Sequence, residues 1–170
     1  MVLKAFESRN YRLYFSGQSV SLIGTWMQRT AVYWLIYTET QSSVMLGVAV
    51  FATQFPSFLF SIFGGVLSDR YNRYIIMLAT QGASLVQALL LTWIVYINEF
   101  AIWHILALST VLGIVNAFDV PARQALVYDL VDKKEYLPNA IALNSSMVHA
   151  ARLIGPAISG IALEKFGTAT

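Results

Sequence analysis

Long apolar stretches separated by short polar breaks set the pattern of this chain. Residues 40–68 carry no charged side chain, and neither do residues 74–98 or 100–118. Each stretch can cross a bilayer as a helix, because about 30 Å of hydrocarbon takes roughly 20 residues rising about 1.5 Å each. Runs of this length are too long for strands. With turn and charge signals as boundaries, the pattern predicts helices near residues 13–38, 44–67, 74–97, 101–127 and 138–163. The breaks Glu39-Thr40-Gln41-Ser42-Ser43 and Asn98-Glu99-Phe100 are short, so the helices on either side of each are expected to form antiparallel hairpins.

Composition narrows the setting. Of the 170 residues, 57% are hydrophobic and 12% charged, and the mean hydropathy is +0.61. Soluble domains carry about 25% charged residues, so this chain reads as an all-α membrane protein. The net charge of +2 and the absence of cysteine exclude a nucleic-acid module with a basic face and a disulfide scaffold. His104 and His149 stand apart with no cysteine or carboxylate company, so no metal site and no cofactor is expected. No Ser-His-Asp order, HExxH motif or carboxylate cluster suggests an enzyme.

The basic residues set an orientation. Lys4, Arg9, Arg12, Arg70, Arg73, Lys133 and Lys134 fall on one side of the expected spans, and Lys165 alone falls on the other. Basic connectors stay in the cytoplasm, which predicts a multi-pass protein of a bacterial cytoplasmic (inner) membrane with a cytoplasmic N-terminus. The loops at Asp69–Arg73 and Asp129–Leu137 would then be cytoplasmic, and the connectors at Glu39 and Glu99 outside. Phe6, Tyr11, Tyr14 and Phe15 among Lys4, Arg9 and Arg12 resemble an interfacial anchor. A cleaved signal peptide is not expected, because the first long apolar span holds Gln18, Gln28 and Arg29.

Polar groups inside spans are the candidate functional residues, since intramembrane charge costs insertion energy. Gln18, Ser21, Thr25 and Gln28 recur at helical spacing and form one stripe. Beside it Arg29 either snorkels to the outer headgroups or faces a watery cavity. Asn116, Asp119 and Arg123 share a face of the fourth span, Asp119 and Arg123 as an i,i+4 pair, with Pro121 between them expected to kink the helix. Arg152 lies deep in the fifth span and needs a compensating partner, for which Asp119 is one guess. Trp26, Tyr33 and Trp34 could line a substrate path, although Trp34 suits a lipid-interface anchor better. Gly64, Gly65, Gly113, Gly155 and Gly160 offer small surfaces for close helix approach, and Pro121 and Gly155-Pro156 are candidate hinges.

The stretch Gly65-Val66-Leu67-Ser68-Asp69-Arg70-Tyr71-Asn72-Arg73, between the second and third spans, resembles the GxLxDRxGR loop of the major facilitator superfamily. Asn72 stands where glycine is usual, as a residue that also tolerates left-handed geometry, and Tyr74 replaces a second basic residue. Asn116 to Ala125, Asn139 to Ser145 and Ala151 to Pro156 look like the bacterial exporter branch that includes enterobactin and macrolide efflux proteins. Gly155-Pro156 with Gly160 is similar to the fifth-helix signature of proton-coupled antiporters. Ser109 occupies the place of the fourth-helix arginine of many drug antiporters.

The resemblance implies a twelve-helix transporter of which residues 1–170 supply helices one to five, an incomplete N-terminal half completed by missing C-terminal helices. It further implies export of a small amphipathic or hydrophobic molecule, of the drug or siderophore class, by alternating access with proton-coupled antiport. The implied conformational latch comprises Gly65, Asp69, Arg70 and Arg73, with Asp129 as the acid at the end of helix four. The implied cavity or coupling residues are Gln28, Arg29, Asn116, Asp119, Arg123 and Arg152. The expected partners are a small-molecule substrate, the lipid bilayer and the remaining helices, with no nucleic acid. The alternative is a non-transporting helical membrane module that binds lipid or a partner protein, its polar stripes satisfied entirely within the bundle.

Overall fold

The computed structural model describes residues 4–97, 100–131 and 133–166, with the Phe166 side chain excepted. A 3₁₀ turn at Lys4–Glu7 precedes α1 (Arg9–Thr40), α2 (Ser43–Arg70), α3 (Arg73–Tyr96) and α4 (Ile102–Leu130). A second 3₁₀ turn, Lys134–Tyr136, leads into α5 (Leu137–Phe166). These are the five helices expected, and the described residues hold no strand. Within the expected connectors, residues 98–99 and 132 lie outside the described residues, as do residues 1–3 of the expected anchor.

Local chemistry explains the breaks. Gln41 has φ 49°, the left-handed turn that stops a helix, and its N–H still donates to the Tyr37 carbonyl at 2.8 Å. Ser42 then caps α2, its hydroxyl accepting from the Met45 N–H. Asn72 caps α3 in the same way, accepting from the N–H groups of Tyr74 at 2.9 Å and Ile75 at 3.4 Å. Its φ of −64° and ψ of 112° are extended, so the left-handed geometry expected there is not used. An N-cap needs extended backbone and a short side-chain acceptor, and asparagine supplies both.

Four helical stretches are long and apolar enough to cross a membrane: Ser43–Arg70, Arg73–Tyr96, Ile102–Leu130 and Lys134–Lys165. The 32-residue α1 does not join them, because Ser16, Gln18, Ser19, Ser21, Thr25, Gln28, Arg29 and Thr30 interrupt its apolar surface. Phe51, Phe55, Phe58, Ile62 and Phe63 on α2 and Ile75, Leu85, Leu89 and Trp93 on α3 are exposed. Rows of large apolar side chains that would be costly in water suit lipid chains.

The described residues form two compact units. One combines the chain up to Ala31 with Leu126–Lys165. Its core is Leu22, Met147 and Ala151, with Phe15, Trp26 and Val148 packed on it. Here α1 and α5 run parallel in constant register. Tyr11 Oη donates to the Ala140 carbonyl at 3.0 Å, Tyr14 Oη reaches Asn144 Oδ1 at 3.2 Å, and Gly155 lies against Trp26. The N-terminal segment, expected as an interfacial anchor, is sewn into this unit. Ala5 and Tyr11 are fully buried, the Ala5 N–H donates to Asn139 Oδ1, and Ser8 Oγ donates to the Leu130 carbonyl at the end of α4. The tyrosine hydroxyls find acceptors there, which lets the rings bury without stranding a polar group.

The second unit is Val32–Ala125. Val32, Leu35 and Ile36 of α1 meet Ala49 of α2, Leu91 of α3 and Ile105 of α4 in its core. Antiparallel α3 and α4 are pinned by Gln87, whose Nε2 donates to the Leu108 carbonyl at 3.2 Å. Two glycines let α2 and α4 touch backbone to backbone. A Cβ on Gly64 would strike the Ala117 carbonyl, and one on Gly113 the Thr53 carbonyl. The same construction at Gly65 and Gly160 meets nothing, so close approach expected at five glycines occurs at Gly64, Gly113 and Gly155.

Candidate functional site

The polar cluster of the second unit sits where α3 and α4 face each other. Asp119 of α4 is 6% exposed and Arg123, one turn on, is 8%. Arg123 Nη2 lies 3.3 Å from Asp119 Oδ2, and Thr80 Oγ1 of α3 donates to Asp119 Oδ1 at 2.9 Å. Gln81 Nε2 approaches the same oxygen at 3.5 Å. The sequence reading found the i,i+4 pair but missed Thr80 and Gln81. Their signal was available as polar residues inside an apolar helix, without a partner to give them meaning. Asp119, expected as the counter-ion of Arg152, is therefore engaged by Arg123 and by α3.

Pro121 lies between the pair, and α4 continues through it. Lacking an N–H, Pro121 leaves the Ala117 carbonyl without its helical donor, and this is the oxygen covered by Gly64. Among the described residues, Asn116 Nδ2 and Arg123 Nη1 are buried side-chain donors without an acceptor. They stand two turns apart on one face of α4, on either side of Asp119. Buried donors left unpaired cost about 1–3 kcal/mol each, so this face is suited to a ligand or to a second arrangement that supplies oxygens.

The loop residues are distributed as follows. Asp69 and Arg70 end α2 and are exposed, and Gly65 one turn earlier is half-buried. Arg73 begins α3, and its guanidinium reaches carbonyls of two other helices, the last turn of α2 and the body of α4. Nε donates to the Ser68 carbonyl and Nη1 to the Ala125 carbonyl, both at 3.4 Å. The planar fork thereby satisfies carbonyls of two different helices. Asp129 lies on the last turn of α4, exposed, in the other unit.

In the first unit, Arg29 and Arg152 come from α1 and α5 to one side chain. The Arg29 guanidinium carbon is 5.0 Å and that of Arg152 5.4 Å from the centroid of the Trp26 ring. Gln18, in the stripe below them, is 6% exposed. Gly155, a candidate hinge, is also a contact point: a Cβ there would lie 2.5 Å from Trp26 Cβ and 3.0 Å from the Ile23 carbonyl. The helix passes through Pro156 unbroken. At the head of α5, Lys133 Nζ reaches Tyr136 Oη at 3.5 Å, and Tyr136 Oη donates to Glu7 Oε2 at 3.1 Å. The hydrogen bond to Tyr136, assisted by the charges of Tyr136 and Glu135, raises the Lys133 pKa.

The model of the family described as transmembrane secretion effector matches residues 2–170. The chain is similar to the Staphyloferrin A transporter of Staphylococcus aureus, with 29% identity over 94% of this chain and 40% of the relative. It is also similar to Macrolide efflux protein A of Streptococcus pyogenes, 28% identical over 89% of this chain and 38% of the relative. A third relative, Enterobactin exporter EntS of Shigella boydii, is 28% identical over 94% and 38% respectively. The chain thus spans about two fifths of the length of these curated relatives. No solved structure matches it.

Proposed function

We propose, since the chain belongs to the transmembrane secretion effector family of the major facilitator superfamily, that its helices serve the export of a small amphipathic or hydrophobic molecule of the drug or siderophore class. The transport mode is alternating access, in which two packed states expose one site to opposite sides of the membrane. The chemistry is binding and release with no covalent step. The membrane is the bacterial cytoplasmic membrane, with the N-terminus and the basic loops on the cytoplasmic side. The chain acts together with the further helices of a complete transporter.

The observation that carries this reading is the buried polar cluster of Asp119, Arg123, Thr80 and Gln81 between two helices apolar enough to cross a membrane. A carboxylate is kept inside such helices at an energetic cost, and ion pathways are where that cost is met. Proton-coupled antiport is the coupling mode of this reading, with Asp119 and Arg123 as its coupling candidates. Asp69, Arg70 and Arg73, with Asp129, form the conformational latch. Arg73 anchors it by its two carbonyl contacts, and the exposed Asp69 and Arg70 change partners between states. Gln28, Arg29, Asn116 and Arg152 are the cavity or coupling candidates of this reading, and Pro121, Gly155 and Pro156 its candidate hinges.

A non-transporting module that binds lipid or a partner protein would hold its polar groups fully satisfied within the bundle. The unpaired donors of Asn116 and Arg123 favour transport over that reading. The test is substrate accumulation in cells with and without the full-length gene, repeated with the proton gradient collapsed. Net extrusion that fails on collapse supports antiport, extrusion that survives collapse removes the proton coupling, and equal accumulation in both strains removes the export reading.

A further inference from the structure

We propose that Lys4 and Lys133 bind the phosphate of an anionic phospholipid, with Arg9, Arg12 and Lys134 adding charge around it. This goes beyond the export reading and does not depend on it. Lys4 belongs to the 3₁₀ turn before α1, and Lys133 directly precedes the 3₁₀ turn before α5. Although far apart in the chain, their ammonium groups meet one aromatic ring. Lys4 Nζ lies 5.5 Å and Lys133 Nζ 5.4 Å from the Tyr136 centroid. The two charges are therefore within about 11 Å of each other. Basic residues that only set orientation need no such convergence.

The ring that gathers them is fixed. Tyr136 is 8% exposed and its Oη donates to Glu7 Oε2 at 3.1 Å. The turn that carries Lys4 is held in place by the Ala5 N–H on Asn139 Oδ1. An ammonium settles on a tyrosine through the ring quadrupole and has three N–H donors, of which Lys133 spends one on Tyr136 Oη at 3.5 Å. Among the described residues no carboxylate forms an ion pair with either lysine, so donors of both are left for a ligand. Arg9 and Arg12, one turn apart at the start of α1, and Lys134 are exposed. The basic residues at this end of the unit outnumber its described acids, Glu7, Asp129 and Glu135, and Glu7 already accepts from the tyrosine. Leu13, next after Arg12, is 63% exposed and Val20 73%, so acyl-chain surface begins where the basic residues end. Phosphate oxygens take charge-assisted N–H donors, and clusters of about 4–8 Lys or Arg beside a spanning helix attract anionic lipid. A zwitterionic headgroup brings its own cation, which the two ammoniums repel. A bound phosphate ties the turn Lys4–Glu7 to the turn Lys134–Tyr136.

The test is native mass spectrometry of the full-length protein in detergent, titrated with phosphatidylglycerol, phosphatidylcholine or glycerol 3-phosphate. The readout is the dissociation constant of the first molecule bound. Wild type should bind phosphatidylglycerol more tightly than phosphatidylcholine. Lys4→Gln and Lys133→Gln should each weaken phosphatidylglycerol binding by about fivefold and leave phosphatidylcholine binding unchanged. Lys165→Gln removes a charge of the same sign at the other end of α5 and should bind like wild type. An unchanged melting temperature establishes that each variant is folded, and Lys4→Arg with Lys133→Arg, which keeps both charges, should retain binding. Phosphatidylglycerol binding that survives both glutamine substitutions together overturns the site, as does wild-type binding that does not distinguish the two lipids. An equal loss in Lys165→Gln would mean that net charge alone attracts the lipid, and the site fails. If glycerol 3-phosphate binds with the same dependence on Lys4 and Lys133, the occupant is a free phosphate and the lipid assignment falls.

Discussion

The backbone of Gly64 rests on the carbonyl oxygen of Ala117, the oxygen that Pro121 leaves without an amide donor in α4. A proline in a spanning helix needs a neighbour to cover the freed group, and here a glycine on α2 does so. Gly64→Ala would push a methyl group into backbone, which cannot rotate away. The variant is expected to lose about 1–3 kcal/mol in thermal unfolding in detergent. Gly65→Ala, one position on and facing open space, should be neutral or gain up to about 1 kcal/mol from helix propensity. Equal effects at the two positions would remove the close-packing argument.

Breaking the buried pair should cost more than removing it. Asp119→Ala strands Arg123 among apolar helices and is expected to lose about 3 kcal/mol or more. Asp119→Asn combined with Arg123→Gln leaves no charge and should lose clearly less. Melting of wild type, Asp119→Asn, Arg123→Gln and the double variant in a double-mutant cycle reads the coupling directly, and strict additivity would mean that the 3.3 Å pair contributes nothing.

At the cytoplasmic loop, Arg73→Lys keeps the charge but cannot reach two carbonyls with one planar fork. A loss of about 1–2 kcal/mol is expected, with slower export and normal membrane insertion. Asp69→Asn should cripple export without lowering the melting temperature, since Asp69 is exposed. Full efflux by Asp69→Asn would end the latch assignment.

Tyr11→Phe removes one hydroxyl from a fully buried ring and leaves the Ala140 carbonyl without that donor. The expected loss is about 1 kcal/mol, seen as faster proteolysis or hydrogen exchange at the start of α5. Were the N-terminal segment only a surface anchor, this variant would melt like the wild type.

Hydrophobic pattern was sufficient for the helices, because a spanning element is written in consecutive residues. Helix ends were readable only as breaks: Ser42 fell in an expected connector, and Asn72, expected to suit left-handed backbone, is the extended cap of α3. Pairings between distant residues were not. Nothing in the local sequence of α4 tells that Thr80 reaches Asp119, or that Arg152 settles over Trp26 rather than beside an acid. Likewise Gly64 and Gly65 are indistinguishable until a second helix is laid beside them. The packing of the aromatic N-terminus was not legible either, because tyrosines that suit an interface suit equally a protein junction with carbonyls to accept their hydroxyls.

The parallel register of α1 and α5 constrains how this chain can vary. Hydrogen bonds at Tyr11 and Tyr14 clamp one end, and the fit of Gly155 onto Trp26 clamps a level about 22 Å higher, fifteen residues at about 1.5 Å each. Gaining or losing one residue between the clamps in either helix would turn one end by about 100° relative to the other, carrying Trp26 away from Gly155 and from Arg152. Side chains along this stretch can be exchanged, but its length cannot change unless both helices change together. Single-residue deletions scanned along Phe15–Thr25 should therefore fail uniformly, whatever residue is removed.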